Sequence, residues 1–144
     1  MKRILPAVLI IAAFSGCSII NRGSSGSSPT YQVTTNRDVY SRGNTGEATI
    51  KNISSRQLDY NLCQRRLERQ VNKYWVVAFE WPTAGGACTT EMRHLDKGES
   101  VSALFDIPTG VPIGTYRLVF NNLRGKDGKP VSPDDASTRS FDVH

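Results

Sequence analysis

From Tyr31 onward, apolar and polar residues alternate with a period of two, the spacing of a chain whose successive side chains point to opposite faces of a sheet. Tyr31, Val33 and Thr35 share one face of a first strand. Ala48 and Ile50 point one way in a second, while Glu47, Thr49 and Lys51 point the other. Leu58, Tyr60 and Leu62 share a face of a third. In the apolar run Lys73–Trp81, Trp75, Val77 and Phe79 stand opposite Val76 and Ala78, a pattern that predicts cover on both sides. Alternation is cleanest later, where Val101, Ala103, Phe105 and Ile107 oppose Ser100, Ser102, Leu104 and Asp106. Tyr116, Leu118 and Phe120 repeat it, and Phe141 and Val143 finish the chain. Turn residues punctuate these runs: Asp38–Asn44, with Gly43 and Asn44 at its tip, and Asn52–Arg56. Helical periodicity does not recur; Cys63–Val71 has a helix-like composition but lacks an apolar face. About seven short strands predict an all-β, antiparallel β-sandwich in which two sheets bury their apolar faces against each other, with a small barrel as the competing layout.

The N-terminus follows another logic. Lys2 and Arg3 precede an apolar run, Ile4 to Phe14, too short to cross a bilayer, and small residues follow at Ser15 and Gly16. Charged, apolar and small segments in that order make a secretory signal over residues 1–16. Phe14-Ser-Gly-Cys17 resembles the lipobox of bacterial lipoproteins, with Phe14 where Leu is usual. That resemblance implies cleavage before Cys17, acylation of its thiol and new N-terminus, and, since Ser18 rather than Asp follows, residence at the outer membrane, facing the periplasm or the outside. Each buried methylene of an acyl chain contributes about 0.8 kcal/mol, so several chains anchor a protein that does not span the membrane. Residues 17–30 then read as a lipidated cysteine and a Gly/Ser-rich flexible tether, and residues 31–144 as one domain.

Composition narrows the function. The formal net charge of +5 includes Lys2 and Arg3; without them 16 basic residues face 13 acidic ones, a balance of +3 too weak to argue for nucleic acid. Of three cysteines, Cys17 belongs to the anchor. Cys63 and Cys88 remain, and in an oxidising compartment two thiols in a small domain pair as a disulfide, free or metal-bound cysteines being the alternative.

Three segments resemble bacterial immunoglobulin-like domains of secreted and lipid-anchored proteins: Tyr60-Asn-Leu-Cys63 with Leu67-Glu-Arg69, then Leu95-Asp-Lys-Gly-Glu99, then Ile113-Gly-Thr-Tyr-Arg-Leu118. The opening Asp38-Val-Tyr40 with Gly43 is similar as well. The resemblance implies an immunoglobulin-like sandwich with a disulfide from Cys63 to Cys88 and no catalytic machinery. Tyr116 then takes the part of a residue that fixes the sandwich corner through a backbone hydrogen bond. The long connection Arg124–Ser137 departs from the family pattern.

Candidate chemistry is sparse. His94 and His144 are the only histidines, and no nucleophile elbow, zinc-protease helix or phosphate loop occurs, so no catalytic residue, no metal and no cofactor is expected. Zinc on Cys63, Cys88 and His94 lacks a fourth ligand and a close cysteine pair. Asp127, Asp134 and Asp135 do not match the spacing of a calcium loop. Two stretches are candidate binding surfaces: Arg65, Arg66 and Arg69, read mainly as a solvated connection between strands, and the loop carrying Arg124, Lys126, Asp127 and Lys129. Trp75 and Trp81 are assigned to the core. The expectation is a non-enzymatic, outer-membrane, lipid-anchored immunoglobulin-like module with an envelope protein as partner or a structural role, and an inhibitor of a protease or other hydrolase, acting through the Arg124 loop, as the alternative.

Overall fold

The computed structural model describes residues 31–82, 85–125 and 127–144. The leader, Cys17 and the tether therefore lie outside the described residues, as does Lys126 of the candidate loop. Nine strands occur among the described residues. They are β1 (Tyr31–Thr35), β2 (Val39–Tyr40), β3 (Thr45–Asn52), β4 (Leu58–Val71), β5 (Tyr74–Trp81), β6 (Arg93–Leu95), β7 (Ser100–Asp106), β8 (Gly114–Arg124) and β9 (Phe141–Val143). They build an immunoglobulin-like β-sandwich. One sheet has the order β1-β3-β7; the larger has the order β2-β9-β8-β4-β5, with β6 paired to the start of β4. All pairings are antiparallel except β2 with β9, which is parallel.

The alternating runs face each other across the sandwich. Ile50 and Ala48 from β3 and Phe105 from β7 meet Leu58 and Leu67 from β4, Leu118 and Phe120 from β8, and Phe141 from β9, all buried. Burial of each large side chain contributes about 1.5–3 kcal/mol. Tyr40 meets Phe105 and Phe141 edge to face at 5.5 and 5.1 Å between ring centres, and those two rings lie tilted to each other at 6.0 Å. Gly46 sits where those rings converge: a Cβ there would lie 2.5 Å from the Phe105 ring and 2.7 Å from the Tyr40 ring. Tyr116 is fully buried and its hydroxyl donates to the Pro112 carbonyl, closing the corner before β8. Cys63 and Cys88 are bonded with Cα atoms 5.7 Å apart, within the ordinary range for a disulfide.

Several sequence expectations are corrected. Asp38–Asn44 is not merely a turn: Val39–Tyr40 forms β2, which pairs with β9 at the sheet edge. The arginine run is not a connection but the second half of β4, which continues unbroken from Leu58 to Val71. An irregularity between Asn61 and Arg65 lets β4 follow β8 across the cysteine. β5 is not covered on both sides. It is the edge strand of the larger sheet, and Val76 and Val77 are half exposed. A bulge at Leu67/Glu68 pairs Phe79 with Leu67 but Val77 with Glu68, so Phe79 and Val77 point to opposite faces instead of sharing one. Within the Arg124–Ser137 connection, residues 131–137 run along the free edge of β8. Val131 N donates to Leu123 O, Phe120 N to Ala136 O and Thr138 N to Leu118 O, all at 2.9–3.1 Å.

Candidate protein-binding surface

The sheets differ in width, and the difference shapes the surface. β7 ends one sheet and β5 the other, and among the described residues no strand lies beside either outer edge. After β5 the chain returns to β4 as β6 and leaves the place beside β7 without a strand. A lateral seam results, lined by Leu62, Phe79, Trp81, Val101 and Ala103, which pack on the core but are only partly buried. It continues into a cleft of ≈ 290 Å³ bounded by Tyr60, Asn61, Glu91, Arg93, Val101 and Ser102.

Arg65 crosses this seam. Its Nη1 donates to Leu62 O and its Nη2 to Leu104 O on β7, both at 2.8 Å, and its guanidinium lies over the Trp81 ring at 5.4 Å. Its Nε is buried without a partner among the described residues. Burial lowers the guanidinium pKa, with the charge of Asp106 acting in the opposite direction. No carboxylate lies within ion-pair distance of Arg65 among the described residues.

The other two arginines go elsewhere, because alternation along β4 divides them between faces. Arg69 faces inward, donating to Ile113 O at 2.9 Å. Gly114, at φ 148°, allows this approach, since a Cβ there would meet Arg69 Nε at 2.9 Å. Arg66 faces outward into a charge-balanced chain: Arg66 Nε to Glu68 at 2.6 Å, Arg117 Nε to Glu68 at 2.7 Å, Arg117 Nη1 to Asp134 at 2.8 Å. Glu68 and Arg117 are buried, and Arg117 covers the Trp75 ring at 4.6 Å. Arg65, Arg66 and Arg69 thus form no common patch. Trp81 joins the inner face and stacks on Phe79 at 4.8 Å, whereas Trp75 is a half-buried platform for Arg117.

The candidate loop is braced. Arg124 pairs with Pro130, Gly125 N donates to Lys129 O, Gly128 N to Gly125 O and Arg124 Nη1 to Gly128 O. Lys129 N donates to Asp127 Oδ1 at 3.1 Å and holds that carboxylate below its ordinary pKa. Beside the loop, a cleft of ≈ 250 Å³ reaches from Arg124 and Asn122 to Cys88 and Met92. Tyr31 brings its hydroxyl next to Gly125, so the described chain begins at this end of the sandwich.

The opposite end of β4 carries apolar surface instead. The β4–β5 turn, Asn72–Lys73, has both residues at positive φ, as a tight hairpin requires. Around it Tyr74 is 75% exposed, and Val71, Val76 and Val77 are exposed too; on β7, Leu104 is 65% exposed. His94 sits on β6, exposed to solvent, its Nδ1 2.7 Å from Asp59. Among the described residues no three His, Cys, Asp or Glu side chains come close enough to hold a metal ion. The Arg65 seam escaped sequence reading because its lining comes from three strands; the one available signal was an arginine placed in phase with Leu67.

No protein-family model matches the chain, and no curated protein does. Among solved structures it is similar to the sporulation control protein Spo0M from Bacillus subtilis, with a TM-score of 0.47 and 15% identity over 80% of this chain. The chain spans 49% of Spo0M. It is also similar to the PapD-like domain 7 of human CEP192, with a TM-score of 0.29 and 14% identity over 99% of this chain and 94% of that one. A further similarity, with a TM-score of 0.40 and 10% identity over 80% of this chain and 30% of that one, is with the alkylpurine DNA glycosylase AlkC of Pseudomonas fluorescens.

Proposed function

We propose that this chain is a non-enzymatic lipoprotein of the outer membrane, in which residues 1–16 are removed, Cys17 is acylated, residues 17–30 form a tether, and the sandwich binds another envelope protein. The observation that supports the binding reading is a group of exposed apolar side chains on the two open strand edges, beside others that stand singly at Val39, Ile53 and Ile113. Tyr74, Val76 and Val77 stand on edge strand β5, and Leu104 on edge strand β7. Apolar side chains scattered singly need no explanation, but a cluster along two open edges supports a contact surface. Its position fits an anchored module. The tether joins beside the Arg124 loop, and β4, at 14 residues, carries the hairpin about 45 Å towards the far end, away from the anchored leaflet.

The test uses the mature lipoprotein extracted from cells. Cross-linking and pull-down return an envelope protein with the native chain and lose it with the double variant Tyr74→Ser, Val76→Ser. Equal recovery with both chains refutes the reading. A second reading, inhibition of a protease or other hydrolase, is favoured by the hydrogen bonds among the described residues between Arg124 and Pro130, since a preorganised loop enters a cleft at low entropic cost. Titration against a panel of hydrolases with no loss of activity removes it.

A further inference from the structure

Arg65 is a desolvated cation whose present partners, the Leu62 and Leu104 carbonyls, are uncharged. A half-buried guanidinium binds a carboxylate better than a carbonyl, because charge-assisted pairs are roughly twice as strong as neutral ones. Beside it runs an unoccupied strand edge. The Leu104 carbonyl is turned into the seam, since Arg65 reaches it there. In an antiparallel strand the N–H and C=O of one residue point the same way and alternate residues agree, so Ser102 presents its backbone to the seam too. Ser102 also lines the ≈ 290 Å³ cleft, and the apolar wall behind it is incompletely covered.

We propose that the seam between β5 and β7 accepts an extended segment of a partner polypeptide, which adds as a strand to β7, seats alternate apolar side chains between Val101, Ala103 and Phe79, and places an acidic side chain on Arg65. This deepens the protein-binding reading and rests on it. Main-chain hydrogen bonds to Ser102 and Leu104 supply affinity that is tolerant of sequence. The carboxylate supplies selectivity, because a basic or neutral residue at that position leaves the Arg65 charge uncompensated. Exposed Leu104 offers a second apolar contact on the other face of the added strand.

The test pans random nonapeptides displayed on phage against the full chain. Selected peptides are expected to carry Asp or Glu flanked by alternating apolar residues. They should bind the Arg65→Gln chain at least about tenfold more weakly, while Arg65→Lys retains most of the affinity. Ser102→Pro, which removes an edge N–H without taking one from β3, should abolish binding with Arg65 intact. In the Trp75→Phe background, Trp81 is the sole tryptophan and its emission should shift on binding. Selection without acidic preference, or acidic peptides that bind Arg65→Gln as well as the native chain, overturns the proposal. So does a homodimer that Arg65→Gln dissolves, since a second copy would then fill the seam. If cross-linking through Tyr74 persists while acidic preference is absent, the seam proposal falls and the protein-binding reading stands.

Discussion

Replacing Cys63 and Cys88 by alanine removes one covalent bond and few native contacts, which makes its consequence calculable. The segment the bond holds has an independent clamp. Asn61 Nδ2 donates to the Thr89 and Glu91 carbonyls at 2.8 Å each, and its Oδ1 accepts from Cys63 N at 2.9 Å. The native path of residues 89–91 should therefore survive, and the loss falls mainly on the unfolded state. For a sequence separation of 25, the chain-entropy relation gives about 3.5 kcal/mol at 25 °C. In a domain of about 110 residues this lowers Tm by about 15 °C. Thermal and urea unfolding of the native and double-alanine chains measure it, and the urea m-value should rise as the unfolded chain expands. A loss below about 1 kcal/mol, or amide shifts spreading into β3 and β7, would refute the reasoning, since the bond would then be either energetically idle or a determinant of the sheet packing.

Other substitutions probe the core and the charges. Gly46→Ala forces a methyl into the Phe105 and Tyr40 rings and should cost about 1–3 kcal/mol by denaturant unfolding. Glu68→Gln takes the buried carboxylate from Arg117 and leaves it only the exposed Asp134, which should cost about 3 kcal/mol, with Ser137 and Thr138 amides gaining exchange as the Asp134 segment loosens. Burial raises the pKa of Tyr40 and Tyr116, so the fold holds their neutral forms. That contribution is complete below about pH 10, the ordinary tyrosine value, and fades as pH rises through the folded-state values; alkaline unfolding should be delayed in Tyr116→Phe relative to its neutral-pH stability. Asp127 shifts in the opposite direction, so the Lys129 N–H bond is present above about pH 4 and lost as pH falls through the lowered value, which the Lys129 amide chemical shift follows.

Strands with one wet face were readable from residue order. In β3 and β7 every second residue is apolar because water replaces protein on the far side. β4 beyond Cys63 was not readable, for a physical reason: both of its faces use charged residues. Outward, Glu68 pairs with both Arg66 and Arg117, while Arg65 and Arg69 lay aliphatic stems along the inner face and end on backbone carbonyls. A run like this carries no apolar stripe of any period. β5 misled in the other direction: a run apolar from Tyr74 to Phe79 reads as doubly buried, yet its place at the sheet edge is decided by how many strands the chain supplies beyond it, which periodicity does not encode. β2 is two residues long, and its parallel partner lies about a hundred positions away. Tyr116 was legible because a corner hydrogen bond needs only one side chain and a nearby carbonyl.

The central claim, that the β5–β7 side of an anchored sandwich is its contact surface, is tested most directly by photo-cross-linking in intact cells. A photoreactive residue is placed singly at Tyr74, Leu104, Thr34 or Arg124. Adducts to one envelope protein from positions 74 and 104, and none from 34 or 124, are the predicted result. Adducts from position 124 alone, with 74 and 104 silent, would contradict it.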